Sequence, residues 1–432
     1  MNNFPACAGI QGVVMKSTVR RIAAPLTALV LTAALVSCGG SDGSADKKKT
    51  VTLWMYPVIA DQAASDTYWK KVETDFEAAN SGFDLNIEPQ PWDKRDEKLA
   101  TAFAGKKGPD VVLLIPDQLP QYVKNGSLEP VGDVVEADKS KFLPNAIPGL
   151  TVEGKVYGAP IYHTVTTTIY NKTVLGKAGI TKPPATWDEI KAAAPKLKAA
   201  GFSTLDYSAS PEATLNLNFY PLLWQAGGKV FADDGKSVAF NQAPGLEALT
   251  FLKTLWDEGA VPKSALTNGN AIENQPIGKG QVAMAFTATP ANAALAAKSW
   301  GVDNTEVGAP LTGAKQVGYG IPGGLSVNAG SENIDGAKKF LSFMIQPPQL
   351  EAMSKATGYF TPRTDAKVEV TDPLTQKFGP ALQCAFPGEP NPAARQIMAL
   401  LSVEIQAVLT GKKTPQQALD DAAQQGNALL GR

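Results

Sequence analysis

Histidine occurs once and cysteine three times in these 432 residues, and clustered positive charge is absent beyond Lys47 to Lys49. Each scarcity removes a class of chemistry. Zinc sites use three or four His, Cys or carboxylate ligands at short spacing, and His163 has no His or Cys near it in sequence. No metal or cofactor is expected. Nucleic-acid binders of the usual basic kind need clustered Lys and Arg to neutralise phosphates, whereas this chain carries 40 basic against 41 acidic side chains. No recognisable Ser or Cys nucleophile stands with a base and an orienting carboxylate, so catalysis is not expected. What the chain does have is length and apolar content. At roughly 100 to 200 residues per domain it allows two or three domains, and 44% apolar residues supply ample core.

The first 38 residues have the organisation of an export signal. Lys16, Arg20 and Arg21 precede an apolar stretch from Ile22 to Val36, too short for a membrane span of about 20 residues. The stretch ends in Leu35-Val36-Ser37-Cys38-Gly39, which resembles the lipobox of bacterial lipoproteins. The resemblance implies cleavage before Cys38 and lipidation of its thiol, the two or more acyl chains giving stable anchoring to the cell membrane. A simple secretory signal or a buried apolar helix is the alternative. Residues 1–37 are therefore read as signal peptide, with Met15 an alternative start, and residues 38–49 as a lipidated Cys and polar tether. Removing residues 1–37 takes away three basic side chains and no acidic one, leaving 37 against 41 and a net charge of −4.

Beyond the tether, strand and helix signals alternate. Val51–Met55 is β-rich; Tyr68, Val72, Phe76 and Ala79 recur at helical spacing up to Asn80-Ser81-Gly82. Leu85–Ile87 alternates as a strand, Arg95–Phe103 reads as a helix, and Asp110–Ile115 is an apolar run suited to a buried parallel strand. This order predicts an α/β lobe with a mostly parallel sheet. Helices are predicted over Trp187–Ala200, Gly245–Glu258, Asn333–Ile345 and Pro392–Leu409, with strands near Val282–Phe286 and Leu325–Asn328. Open sheets bind ligands beyond the carboxyl ends of their strands, which marks the loops Tyr56–Ala60, Pro116–Pro120 and Tyr162–Thr166. Gly179 fits the left-handed end of a helix, and Thr186 with Glu189 has capping-box spacing. Trp187 and Trp256 read as packed core.

Several stretches resemble family 1 extracellular solute-binding proteins, the lipoprotein receptors of carbohydrate ABC importers. They include Pro109–Val112, Gly126–Pro130, Tyr157–Pro160, Gln225–Gly228, Val282–Met284 and Thr357–Pro362. The longest runs from Ile169-Tyr170-Asn171-Lys172 to Thr186-Trp187-Asp188-Glu189-Ile190. This resemblance implies the α/β periplasmic-binding-protein type II fold, two lobes with a hinge and a ligand cleft between them. Residues 48–160 and 318–365 would form the first lobe, 161–317 and 366–432 the second, with chain crossings near Ile161–Val165 and Leu311–Val317. It also implies an extracytoplasmic, monomeric receptor whose partners are a carbohydrate and the transmembrane subunits of an ABC permease, with no role for nucleic acid.

Sugar sites combine aromatic platforms with carboxylate, amide and hydroxyl partners. Alignment with the family nominates Tyr56, Trp92, Asp93, Asp117, His163, Thr164, Trp224 and Gln225, Thr287, Thr289, Gly323 and Gly324, Tyr359 and Phe360. Trp224 reads slightly better as core, Asp117 equally as a solvated loop acid, and the glycine pair equally as plain loop flexibility. The segment Gly411–Asn427 resembles the glycerol-3-phosphate-binding branch, which grips phosphate with an Arg just before the last long helix. Here that place falls in Phe386–Glu389, which has no Arg, while Arg363 and Arg395 lie off the motif. A neutral carbohydrate is therefore expected, a glycerol-3-phosphate or glycerophosphodiester receptor is the alternative, and a lipid-anchored glycosidase or an adhesion lipoprotein stands further off.

Overall fold

The computed structural model describes residues 48–431 except 60, 106–107, 144–145, 212, 269–274 and 369–371; the expected signal peptide, Cys38 and nearly all of the tether lie outside the described residues. The first strand, Lys49–Met55, pairs in parallel with Phe83–Pro89 on one side and with Val111–Leu114 on the other. Between the first two strands runs the helix Gln62–Ala79, started by Asp61, whose side chain accepts from the Ala64 N–H. Its inner face is Trp69, Val72 and Phe76, where sequence spacing favours Tyr68 and Ala79. Tyr68 is only half-buried and Ala79 is exposed.

The sheet is completed from far along the chain. Pro322–Asn328 runs antiparallel to Val111–Leu114 and stands between it and Leu128–Glu129, while Ala159–His163 also pairs with it. Parallel pairing thus holds for one half of the sheet only. A second sheet has the order Thr305–Val307, Thr167–Asn171, Val282–Ala288, Ser203–Asp206, parallel only between the last two. Each sheet has its own apolar core. Leu53, Phe76, Val112 and Phe340 belong to the first, and Leu205, Phe219, Leu252 and Ile397 to the second.

Local signals behave as physics requires. Thr186 caps the helix Trp187–Ala199 in a reciprocal capping box with Glu189, and Gly179 takes a φ of 68° after the short helix Lys172–Lys177. Trp187 lies flat on Phe251 at 4.4 Å, and Trp256 is buried.

Between the two sheets the chain segments 164–166 and 319–321 run side by side. Thr164 N–H donates to Ile321 O at 2.8 Å and Thr166 N–H to Tyr319 O at 2.7 Å, while the Thr166 hydroxyl both donates to and accepts from the Tyr319 backbone. A Cβ at Gly318 or Gly320 would stand 2.6 or 2.8 Å from the carbonyl oxygens of Thr166 or Thr164, so this approach needs glycine. The expected crossing Leu311–Val317 ends just before this close approach; within it Thr312 pairs with Ala185 and Trp187 and Lys315 with Gln225.

Asp206, at the end of its strand, has a carboxylate oxygen with no partner among the described residues, and burial pushes the group up to about 7. The folded form then binds a proton that the unfolded chain, with an ordinary aspartate near 4, has released between pH 4 and 7. Stability from this group is present at low pH and lost as pH rises through 7, by up to about 4 kcal/mol. Asp206→Asn is expected to remove that slope and to be the more stable protein at pH 8; parallel pH profiles of urea midpoints for the two proteins would refute this.

Candidate functional site

Where the two lobes face each other, two carboxylates from one side meet a guanidinium and an amide from the other. Asp117 lies on the loop after Val111–Leu114, a tight turn in which Gln118 N–H donates to Ile115 O and the Gln118 side chain accepts from Ile115 N–H. This turn buries Asp117. Its Oδ2 accepts from Asn216 Nδ2 at 2.8 Å and from Arg395 Nη1 at 3.3 Å; its Oδ1 is buried with no partner among the described residues. Asp96, in the first turn of the helix Arg95–Ala104, accepts from Arg395 Nε at 2.7 Å and from the Gln118 amide. Ile115 packs against the second lobe's core beside this junction.

Aromatic rings flank it. Tyr56 and Trp92 stack at 5.0 Å with 19° between planes, and the Arg95 guanidinium stands 5.4 and 5.1 Å from their ring centres. Arg95 also approaches Asp96 at 3.4 Å. Tyr162 and Tyr359 meet at 5.1 Å, and Trp224 lies on Tyr319 at 6.2 Å and against Phe386 at 4.9 Å.

The electrostatics are those of a tightly neutralised set. Burial alone would raise the Asp96 carboxyl, but Arg395 and Arg95 hold it below the usual carboxylate range. Burial would lower Arg395, yet Asp117 and Asp96 hold it well above its ordinary value. Burial pushes the Tyr56 hydroxyl up to about 12 against the pull of Arg95. Tyr319 is raised by burial and then by Asp117.

Of the residues nominated from sequence, Tyr56, Trp92 and Asp117 gather around Arg95, Asp96 and Arg395. Trp224 joins through Tyr319, and Tyr359 through Tyr162. The others have different surroundings, and His163 Nε2 is buried with no partner among the described residues. Asp93 is exposed. His163 is buried, its Nδ1 2.9 Å from Thr164 O and its backbone bridged to Phe360, and burial lowers its pKa, which keeps it neutral. The Thr164 hydroxyl ties the crossing to Ile321, Thr287 donates to Leu217 O, and Thr289 caps the helix Pro290–Trp300. Gln225 accepts from Trp187 Nε1. Gly323 and Gly324 leave room for protein, since a Cβ would fall 2.0 Å from the Tyr162 ring or 2.4 Å from Leu150.

Arg95, Asp96, Asn216, Tyr319 and Arg395 carry no local signal that marks them as site residues. Two guanidiniums, Arg95 and Arg395, stand at this junction beside the carboxylates of Asp96 and Asp117. Arg395 is the second residue of the helix Ala394–Leu409, a place next to the expected loop. Arg363 is elsewhere, bound to Asp138, Asp365 and Ile345 O. Beyond Trp224, the second lobe has a cavity of about 640 Å³ edged by Asp233, Lys315, Cys384, Phe386 and Glu389. No group of His, Cys, Asp or Glu suited to a metal occurs among the described residues.

Known proteins share this architecture. A solute-binding protein of an ABC transporter from Thermotoga lettingae, solved with alpha-D-tagatose, superimposes with a TM-score of 0.77 at 26% identity, covering 89% of this chain and all of that one. The diacetylchitobiose binding protein DasA of Streptomyces coelicolor is 26% identical over 358 residues, 78% of this chain and 81% of the relative. The sn-glycerol-3-phosphate-binding periplasmic protein UgpB of Salmonella paratyphi A is 27% identical over 343 residues, 71% and 76%. The family profile described as bacterial extracellular solute-binding protein matches residues 71–378. With two α/β lobes meeting over a junction of carboxylates, guanidiniums and aromatic rings, and that match across most of its length, this chain belongs to the bacterial extracellular solute-binding proteins, with the type II fold of that family.

Proposed function

We propose that this chain is a non-catalytic receptor that captures a carbohydrate between its lobes and delivers it to an ABC importer, held at the cell membrane by lipid on Cys38. The observation that carries the reading is the buried Oδ1 of Asp117, which has no partner among the described residues, in a junction whose Arg95 stands over the Tyr56 and Trp92 rings. A carboxylate oxygen accepts, so the group that completes it donates, as a sugar hydroxyl does, and the partly exposed Trp92 ring suits a pyranose face. The names of the relatives that bind diacetylchitobiose and tagatose support the same class. Among the described residues no helix is long and apolar enough to cross a membrane; membrane attachment in this reading rests on the lipobox-like Leu35–Gly39.

One observation favours the second reading, a glycerol-3-phosphate or phosphodiester ligand: two guanidiniums are present. Both are already matched by carboxylates, which favours the neutral ligand. A glycosidase reading gains nothing here, because the Arg395 guanidinium keeps Asp96 from holding the proton a general acid needs near neutral pH.

Isothermal titration against mono- and oligosaccharides, glycerol-3-phosphate and glycerophosphocholine tests the proposal. Binding of at least one carbohydrate is expected, weakened on the order of tenfold or more by Asp117→Ala. Binding of glycerol-3-phosphate with no carbohydrate bound would replace this reading with the second.

A further inference from the structure

We infer that Asp96 and Asp117 set the charge selectivity of the cleft: by neutralising the cross-lobe guanidinium of Arg395, they make a cationic junction refuse anions and accept uncharged ligands. The inference deepens the carbohydrate reading and rests on it for the identity of the accepted ligand.

The geometry is specific. Arg395 Nε reaches Asp96 Oδ2 at 2.7 Å and its Nη1 reaches Asp117 Oδ2 at 3.3 Å, with Met398 Sδ at 3.5 Å from the same Nη1. Other groups facing it are Tyr319, whose hydroxyl stays protonated, and Arg95, itself 3.4 Å from Asp96. The Asp117 side chain is 7% exposed and that of Arg395 20%, so the pair interacts in a medium where charge is weakly screened. An arriving anion meets a guanidinium already matched, plus an unpartnered acceptor oxygen on Asp117 that repels it. A hydroxyl meets the same oxygen as a donor. Two arginines and two aspartates sum to zero; converting both aspartates to asparagine retains shape and leaves two uncompensated positive charges.

Titration of the full chain with inorganic phosphate tests this. Wild type is expected to show no binding at millimolar phosphate. Asp96→Asn combined with Asp117→Asn is expected to bind phosphate at least about tenfold more tightly than wild type, with affinity falling as salt rises. Adding Arg395→Gln should abolish the gain. If the double variant does not fold, Asp96→Asn alone, at a partly exposed position, should show a smaller gain of the same sign. No gain in a folded variant, or a gain that survives loss of Arg395, overturns the inference. A parallel carbohydrate titration separates the two claims: a wild-type chain that binds no sugar removes the carbohydrate reading, while the phosphate series still decides the role of Arg395.

Discussion

Arg395→Met is expected to loosen the contact between the lobes, giving a larger radius of gyration in small-angle scattering of the unliganded protein and a lower unfolding midpoint. Removing one partner of a buried pair leaves the other charge uncompensated, a loss of about 3–5 kcal/mol for full burial. Here the side chains of Arg395, Asp96 and Asp117 are 20%, 29% and 7% exposed, so the lower end of that range, about 3 kcal/mol, is the expected size. Part of the loss falls on closure and part on folding, because Ala394 and Ile397 flank Arg395 in the second lobe's core. The contact in wild type should also be acid-sensitive. Asp96 is held below its ordinary value, so its contribution is full above pH 4 and is lost as pH falls through the depressed value. A variant with the wild-type radius and midpoint would show that the cross-lobe pair contributes nothing to closure.

Trp224→Ala should destabilise the second lobe by about 3–5 kcal/mol, the usual cost of emptying a buried aromatic site. Trp224 is 4% exposed and packed by Tyr220, Tyr319 and Phe386, while its Nε1 donates to Glu389 at 3.3 Å. That carboxylate also accepts from the N–H groups of Val230 and Phe231, so the indole helps to fix the loop after the helix Phe219–Gln225. Trp224→Phe retains most of the volume and loses the hydrogen bond, and should cost nearer 1 kcal/mol. Denaturant midpoints of the three proteins decide the matter: equal costs for Ala and Phe would assign the effect to the hydrogen bond, and a small cost for both would mean the site collapses readily. The alanine variant should also lose ligand affinity, because Tyr319 would lose the ring on which it lies.

Features set by neighbouring residues are legible in the sequence alone. The Thr186–Glu189 capping box, the left-handed Gly179 and the start of the helix at Arg95 each depend on a few adjacent residues. Asp117 and Tyr56 can be placed near one another because both follow strands of one sheet. The junction itself is hidden, since Arg395 meets Asp96 across 299 positions of chain and only tertiary folding brings them together. Its helical position next to a long apolar face gives no hint that it faces across the cleft. The threonines at 164, 287 and 289 illustrate the converse. A hydroxyl suits a sugar or a backbone carbonyl equally, and here the backbone engages all three.

The strand Pro322–Asn328 lies inside the first sheet, between Val111–Leu114 and Leu128–Glu129, although it comes three-quarters of the way along the chain. A chain emerging from its amino end therefore carries the first lobe as an incomplete sheet in which Val111–Leu114, Leu128–Glu129 and Ala159–His163 lack this partner until residue 328 is available. Such long-range pairing folds slowly. The same topology makes truncation costly: a chain ending before residue 322 would lose a central strand of the first sheet as well as the rest of the second lobe, exposing unpaired edges to aggregation.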